Sequence, residues 1–347
     1  MKTLLVNVLK AALSIGLLAY LVHQVRSDDP ETFLRLLAEP KRWEFLVAAW
    51  ACFLAALAAG LTRWQRMAAA VGLDGGARQT LRIGVLAYML DFAAFGAAGG
   101  DLFKALSLRR LHPGRGVHAL TTVVADRLVG LGTLLVFASV GAWLFAAERM
   151  SGLVPLISRS ILVLAGIGTL AALLLFALRR RAVPLAERIA HWPVLGGHGA
   201  NLLRAVGLYG NNPWVLGQAV VLSLAVLSLN ATGYALLAAG LATNGPSLAQ
   251  HFLIVPLASL SGLVPLPADA LGVLDYAMSY LYVHVTAGST PASLGVMVVM
   301  TYRVVGVGIT AVGLMLYLSS PGDVRGVTRR DDQATDARAR NDPPSRV

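Results

Sequence analysis

Residues Ala93 to Arg110 read AAFGAAGGDLFKALSLRR, and the fold turns on how this stretch meets a membrane. Its first half is small and apolar enough for hydrocarbon, while its second half carries Asp101, Lys104, Arg109 and Arg110. The bases ahead of it, Arg63, Arg66, Arg78 and Arg82 against Asp74 alone, mark a cytoplasmic loop under the positive-inside rule. A full crossing by residues 83 to 99 would carry Lys104, Arg109, Arg110 and Arg115 to the other face, against that rule. A re-entrant hairpin removes the conflict. The apolar arm enters from the cytoplasm, turns at Gly99 and Gly100, where glycine tolerates positive φ, and returns as the helix DLFKALSLRR.

The rest of the chain supports a membrane as solvent. Of 347 residues, 56% are hydrophobic and 14% charged. Residues 128 to 147 and 160 to 178 hold no charge and are each long enough to cross about 30 Å of hydrocarbon as a helix. Residues 4 to 25 follow Lys2 and Lys10 like a signal peptide but lack a small-residue cleavage site, so they are expected to stay as the first helix. Further spans are expected at about 45 to 62, 117 to 147, 160 to 178, 214 to 243 and 292 to 318. Arg179, Arg180 and Arg181 place the following loop inside.

Residues 252 to 283 contain a second interrupted segment, broken at Pro265, Pro267 and Gly272 within PLPADALGVLD. Neither arm comfortably spans a bilayer, so this reads as a hairpin entering from outside. The expected fold class is an all-α polytopic membrane protein with six full transmembrane helices and two re-entrant hairpins in an inverted repeat; the alternative is eight full spans. Residues 1–318 form one membrane domain with halves at about 1–147 and 148–318, and the polar residues 319–347 form a disordered tail. Both termini are expected to be cytoplasmic, at the inner membrane. No residue-level repeat between the halves stands out, so the symmetry is inferred from topology. Paired interrupted segments in inverted halves point to a transporter's midplane site.

The net charge of +11 does not signal nucleic acid, because the bases sit in short patches beside spans, where they set topology and meet anionic headgroups. The single cysteine, Cys52, lies in an apolar run and excludes an intrachain disulfide. No GxxxxGK[ST], GxSxG or HExxH is present, and the seven histidines are scattered, so no cofactor, metal or hydrolytic machinery is expected. An intramembrane aspartyl protease would require Gly-x-Gly-Asp, whereas here the four residues are Ala98-Gly99-Gly100-Asp101.

Charges near a bilayer centre each cost roughly 2.5 to 3.5 kcal/mol on insertion scales and are not retained idly. Here they are Asp91, Asp101, Lys104, Asp126, Arg127, Asp269, Asp275 and Arg303. Each alone reads as a structural pair or a snorkelling side chain; as a set they suggest a shared polar cavity. Asp101 and Lys104, three apart, would share a helix face as an ion pair. Candidate substrate-binding residues are Asp101, Lys104, Asp126, Arg127, Asp275 and Arg303, the bases for phosphate and the acids for holding those bases or a cationic headgroup.

In order and spacing these features resemble the flippase-like membrane family that shares the transmembrane region of lysylphosphatidylglycerol synthase. That family carries a Gly-Gly-Asp with a base three residues on, a later acid-Arg pair, a Pro-rich turn ending in Gly-x-x-Glu, and a late Tyr-Arg. The chain has Gly99-Gly100-Asp101 with Lys104, Asp126-Arg127, Pro265 to Asp275, and Tyr302-Arg303. It departs in lacking a proline before the first glycine pair, in Lys104 for Arg, in Asp269-Ala270 for a glycine pair, in Leu274 for a base and in Asp275 for Glu. The resemblance implies translocation of a membrane phospholipid or lipid-linked headgroup, without the soluble lysyl-transfer domain. A scaffold or accessory subunit of a lipid or glycan pathway, and a headgroup-modifying enzyme, are the alternatives.

Overall fold

The computed structural model describes residues 30–90, 97–145, 150–177, 182–189, 206–210, 212–261 and 273–318, together with His23, Leu203 and Arg204. Among the described residues all regular structure is helical. The helices are α1 (Pro30–Ala38), α2 (Trp43–Ala70), α3 (Gly76–Leu90), α4 (Ala97–Leu111), α5 (Gly116–Leu144), α6 (Val154–Ala177), α7 (Ala182–Ile189), α8 (Pro213–Leu241), α9 (Leu248–Ser261), α10 (Val273–Val285) and α11 (Ala292–Leu318). Five of them, α2, α5, α6, α8 and α11, are long and apolar enough to cross a membrane. The expected first helix, residues 4 to 25, lies outside the described residues, as do the tail and Asp91, Pro265, Pro267, Asp269 and Gly272.

The molecule is organised around α2 and α8, which pack antiparallel along their length. Every seventh residue of α2 meets every seventh residue of α8: Leu46 lies against Gly240, Phe53 against Gly233, and Gly60 against Val226. Met67 and Ala219 share the buried cluster at the end of this seam. Glycine on one side lets a larger side chain of the other close in, which is how helices associate in lipid, where apolar burial alone gives no preference. The half-chain step that carries Asp101 to Asp275 also carries Phe53 to Val226 and Gly60 to Gly233 within one residue, so the Phe53–Gly233 and Val226–Gly60 contacts exchange. The two contacts are therefore related by the half-chain step as steric pairs with different identities, as an inverted arrangement of the halves would have them.

Helix α2 runs eight residues beyond the expected end of the second span, because nothing in TRWQRMAA breaks a helix. It stops at Gly72, whose φ of 75° only glycine adopts freely. The Gly72 and Leu73 N–H groups then close the last turn on the Ala69 and Ala68 carbonyls. Arg63 and Arg66 consequently belong to the helix and not to a loop.

Both interrupted segments return to the face they came from. Helices α3 and α4 have 15 residues each, about 22 Å at 1.5 Å per residue, too short to cross about 30 Å of hydrocarbon. Arg115, just after α4, donates from Nη1 to the carbonyl of Gly72, just before α3, at 3.1 Å, so the chain enters and leaves at one level. In the second half, His251 at the start of α9 meets the Tyr282 hydroxyl near the end of α10 at 2.8 Å. The first hairpin is rooted where α2 ends and the second where α8 ends. Because α2 and α8 are antiparallel, the hairpins enter from opposite faces.

The glycine pair does not make the first turn. Gly99 and Gly100 lie in the opening turn of α4, and the link from α3 falls at residues 91–96, outside the described residues. A run of Ala97, Ala98 and two glycines continues readily into a helix whose next residues are strong helix formers. Gly100 is buried, so its lack of a side chain serves close packing rather than a left-handed backbone.

The hairpins interlock with the last span of each half. The second arm of each packs on its own half, α4 on α5 and α10 on α11. The first arm crosses over, α3 packing on α11 and α9 on α5. Gly141 of α5 permits the latter crossing, since a Cβ there would lie 3.1 Å from the Phe252 carbonyl oxygen. Helices α5 and α11 thus touch both hairpins.

Candidate functional site

Among the described residues three arginine–aspartate pairs tie these embedded elements together. On the first hairpin, Asp101 in the opening turn of α4 accepts two bonds from Arg127 of α5, from Nε at 2.6 Å and from Nη2 at 2.8 Å. On the second, Asp275 in the first turn of α10 accepts from Arg303 of α11, from Nη2 at 2.5 Å and from Nε at 3.3 Å. The partners are 26 residues apart in one half and 28 in the other. The two pairs are counterparts under the inverted repeat: an acid near a hairpin tip, held in the fork of an arginine on the following span. Fork-to-carboxylate geometry fixes orientation as well as charge, which a lysine would not do.

The third pair was not expected. Asp126, next to Arg127, turns away from the hairpin and accepts from Arg63 of α2 at 2.8 and 3.0 Å. Arg63 also donates to the Ser223 hydroxyl of α8 at 2.8 Å, so one guanidinium joins α2, α5 and α8. Adjacent helical residues point about 100° apart. Asp126 therefore anchors α5 to the central seam while Arg127 reaches the hairpin. In the second half Tyr302 has the place of Asp126. Its ring packs on Phe53 of α2 and Tyr234 of α8, with centroids 4.9 Å apart in each case, while Arg303 reaches Asp275. The same two-residue device is built with an ion pair in one half and aromatic packing in the other.

Asp101 and Lys104 do not form the expected ion pair. Arg127 holds the carboxylate, and a rigid two-toothed fork outcompetes a flexible ammonium for it. The Lys104 ammonium lies instead 5.4 Å from the ring centroid of Trp64, a cation–π arrangement. Among the described residues no carboxylate lies within ion-pair reach of Lys104. Five of the six candidates are thus distributed over three separate pairs, and Lys104 lies against Trp64, rather than all forming one cluster. Arg63, Trp64 and Ser223 are additions: sequence reading takes Arg63 only as a topology marker because it ends the span before it.

Exposure separates the pairs. The Arg127 and Asp101 side chains are 49% and 22% exposed, whereas Arg303 is 14% and Asp275 0% exposed. The Arg63–Asp126 pair is buried like the latter. In formal charge, Arg63 with Asp126 and Arg303 with Asp275 each cancel. Among the described residues Lys104, Arg127 and Asp101 together retain one positive charge.

Beside the embedded charges, Tyr209, in the segment before α8, donates its hydroxyl to the Met67 carbonyl at 3.0 Å and lies 3.2 Å from the Thr122 hydroxyl. Burial pushes its phenol up to about 12, so it stays neutral as a clasp between α2 and α5. Among the described residues no group of His, Cys, Asp and Glu could hold a metal ion.

The family defined by the lysylphosphatidylglycerol synthase TM region matches residues 7–313. No curated protein and no solved structure matches the chain. The chain belongs to that family, a multi-pass integral membrane protein related to lipid modification or transport.

Proposed function

We propose that this member of the lysylphosphatidylglycerol synthase TM-region family is a translocase for the headgroup of a membrane phospholipid or lipid-linked molecule, and acts without enzymatic chemistry. One observation carries the reading: Lys104, which has no carboxylate in ion-pair reach among the described residues, lies beside the exposed Asp101–Arg127 pair on a hairpin whose arms are too short to cross the bilayer. A charge kept there is costly, and such a charge is retained for a pathway or an anionic ligand. Arg127 supplies a planar fork and Lys104 a mobile point charge, the usual pair of contacts to phosphate oxygens. The crossover packing of α3 on α11 and α9 on α5 supports movement, because a shift of one hairpin tip is carried to the helix that holds the other. The Arg303–Asp275 pair then acts as the fixed counterpart rather than a second phosphate contact. Both termini are proposed to be cytoplasmic, at the inner membrane.

The test is reconstitution of the full chain in liposomes with fluorescent phosphatidylglycerol, read by reduction of outer-leaflet dye. Movement above protein-free vesicles is expected, with at least about a tenfold loss in Arg127→Ala, the scale of one charge-assisted hydrogen bond. Movement indistinguishable from empty vesicles for every headgroup class would sink the reading.

A further inference from the structure

We propose that Asp101 is an exchangeable counter-anion: a singly charged phosphodiester headgroup takes its place in the fork of Arg127, with Lys104 as the second contact. This rests on the headgroup-translocase reading and specifies how the substrate enters the site and which charge it carries.

The argument begins with Arg127. Its fork is occupied by a carboxylate, which presents the same two-oxygen acceptor that a phosphodiester presents through its non-bridging oxygens. The resident acid therefore has the shape and charge of the incoming group. It holds the guanidinium aimed at the tip when no ligand is bound, so Arg127 is preorganised with its charge paired.

Exchange requires that the resident anion be accessible. Among the described residues Asp101 and Arg127 form the most open of the three embedded pairs, so an incoming headgroup can reach the fork. Asp275 is sealed by α10 and α11, and Asp126 is locked by a guanidinium that also binds Ser223. Among the described residues two of the embedded pairs are closed and one is open.

The charge balance fits one ligand class. With Asp101 displaced but still adjacent, Lys104, Arg127 and Asp101 sum, among the described residues, to one positive charge, which one phosphodiester neutralises. Asp101 and Lys104 are three apart on α4, on the same helix face. A phosphate between Lys104 and Arg127 therefore stays beside the carboxylate, and their repulsion favours release once the hairpin moves. A choline headgroup would bring a second positive charge and fit less well.

Binding, read apart from movement, tests this. The full chain in detergent is titrated with spin-labelled phosphatidylglycerol and spin-labelled phosphatidylcholine, and the immobilised fraction is read by electron paramagnetic resonance. Asp101→Asn is expected to tighten phosphatidylglycerol binding on the order of tenfold, because the competing anion is gone. Phosphatidylcholine should gain less. Asp101→Asn with Lys104→Gln should return the affinity to the wild-type level or below. Movement in liposomes should slow in Asp101→Asn, since release loses its repulsive partner. Equal or weaker phosphatidylglycerol binding by a normally folded Asp101→Asn protein would overturn the exchange, as would an equal gain for both lipids. Glycerophosphoglycerol, the headgroup without acyl chains, is the competing arm. Displacement of bound lipid supports the exchange and assigns the ligand to the headgroup alone, while tightened lipid binding without displacement supports it with the chains contributing. If exchange is seen but no lipid moves, the translocase reading fails and the exchange stands.

Discussion

The two re-entrant hairpins have the same plan and opposite temperaments. Each places an aspartate near its tip in the fork of an arginine from the next span, and each is tied where it enters. The first is tied by Arg115 to a carbonyl at the surface and keeps its ion pair half open. The second is tied by a buried histidine–tyrosine contact and seals its pair completely. Ser247 O accepts from Nδ1 of His251, which leaves Nε2 to accept from the Tyr282 hydroxyl, so the neutral ring has both nitrogens satisfied. Two copies of one device, one tight and one loose, are what a transporter needs if one copy is the frame against which the other moves.

The most forceful way to break this comparison is to remove the acid from each pair in turn. Asp275→Ala leaves the Arg303 charge without its carboxylate in a sealed site and should cost about 3 to 5 kcal/mol. The expected readout is loss of the monodisperse detergent-solubilised protein or a large fall in its melting temperature. Asp101→Ala should cost clearly less than Asp275→Ala, because its arginine is half exposed. Comparable losses in the two variants would show that the hairpins are equally fixed.

Packing offers the next test. A Cβ at Gly295 would lie 2.8 Å from the Ser279 Cα, and backbone cannot swing aside as a side chain can. Gly295→Ala should therefore push α11 off α10 and destabilise the protein by about 1 to 3 kcal/mol. Gly132, on α5, has nothing within 4 Å of the added carbon, so Gly132→Ala serves as the neutral control in the same thermal assay. A neutral Gly295→Ala would mean that the second hairpin is as compliant as the first.

The roots of the hairpins give a smaller difference. Tyr282→Phe deletes the hydroxyl that satisfies His251 in a buried site, a change of about 1 kcal/mol or somewhat more. Arg115→Ala removes an exposed bond and should fall within about 0.5 kcal/mol. Hydrogen exchange of α9 and α10 amides in Tyr282→Phe, against α3 and α4 amides in Arg115→Ala, would locate any loosening.

Much of this plan is legible in the sequence, and its gaps have identifiable causes. The spans α5, α8 and α11 and the two hairpins follow from apolar length and loop charge. That the first hairpin turns back to its entry level, as Arg115 on Gly72 shows, follows from keeping Lys104, Arg109 and Arg110 on the face of the preceding bases. The turn at Gly99 and Gly100 is misread because conformational freedom permits a turn but does not require one. The repeat is hidden because helix seams need one large and one small partner, in either order. Phe53 on Gly233 and Val226 on Gly60 satisfy the same geometry, and only the glycines match between halves. Asp126 and Tyr302 anchor their helices by unrelated chemistry, so no comparison of identities would align them. Arg63 is missed for a different reason: a base at the end of an apolar run has the same appearance whether it marks a surface or enters a buried pair.

Lys104 gives the smallest effect on stability and the sharpest on function. Its contact with Trp64 is partly solvated and contributes about 0.5 to 1 kcal/mol, so Lys104→Ala should melt close to wild type. It is nevertheless the charge that distinguishes the first hairpin from the second, since without it all three embedded clusters are neutral among the described residues. Lys104→Ala should leave the folded protein and its Asp101–Arg127 pair intact while lowering movement of phosphatidylglycerol more than that of phosphatidylcholine. Lys104→Arg, which keeps the charge, should restore the preference for the anionic lipid. If Lys104→Ala moves both lipids as wild type does, the surplus charge is not what the headgroup meets. The looseness of the first hairpin would then serve motion alone, with selectivity set elsewhere along α5 and α11.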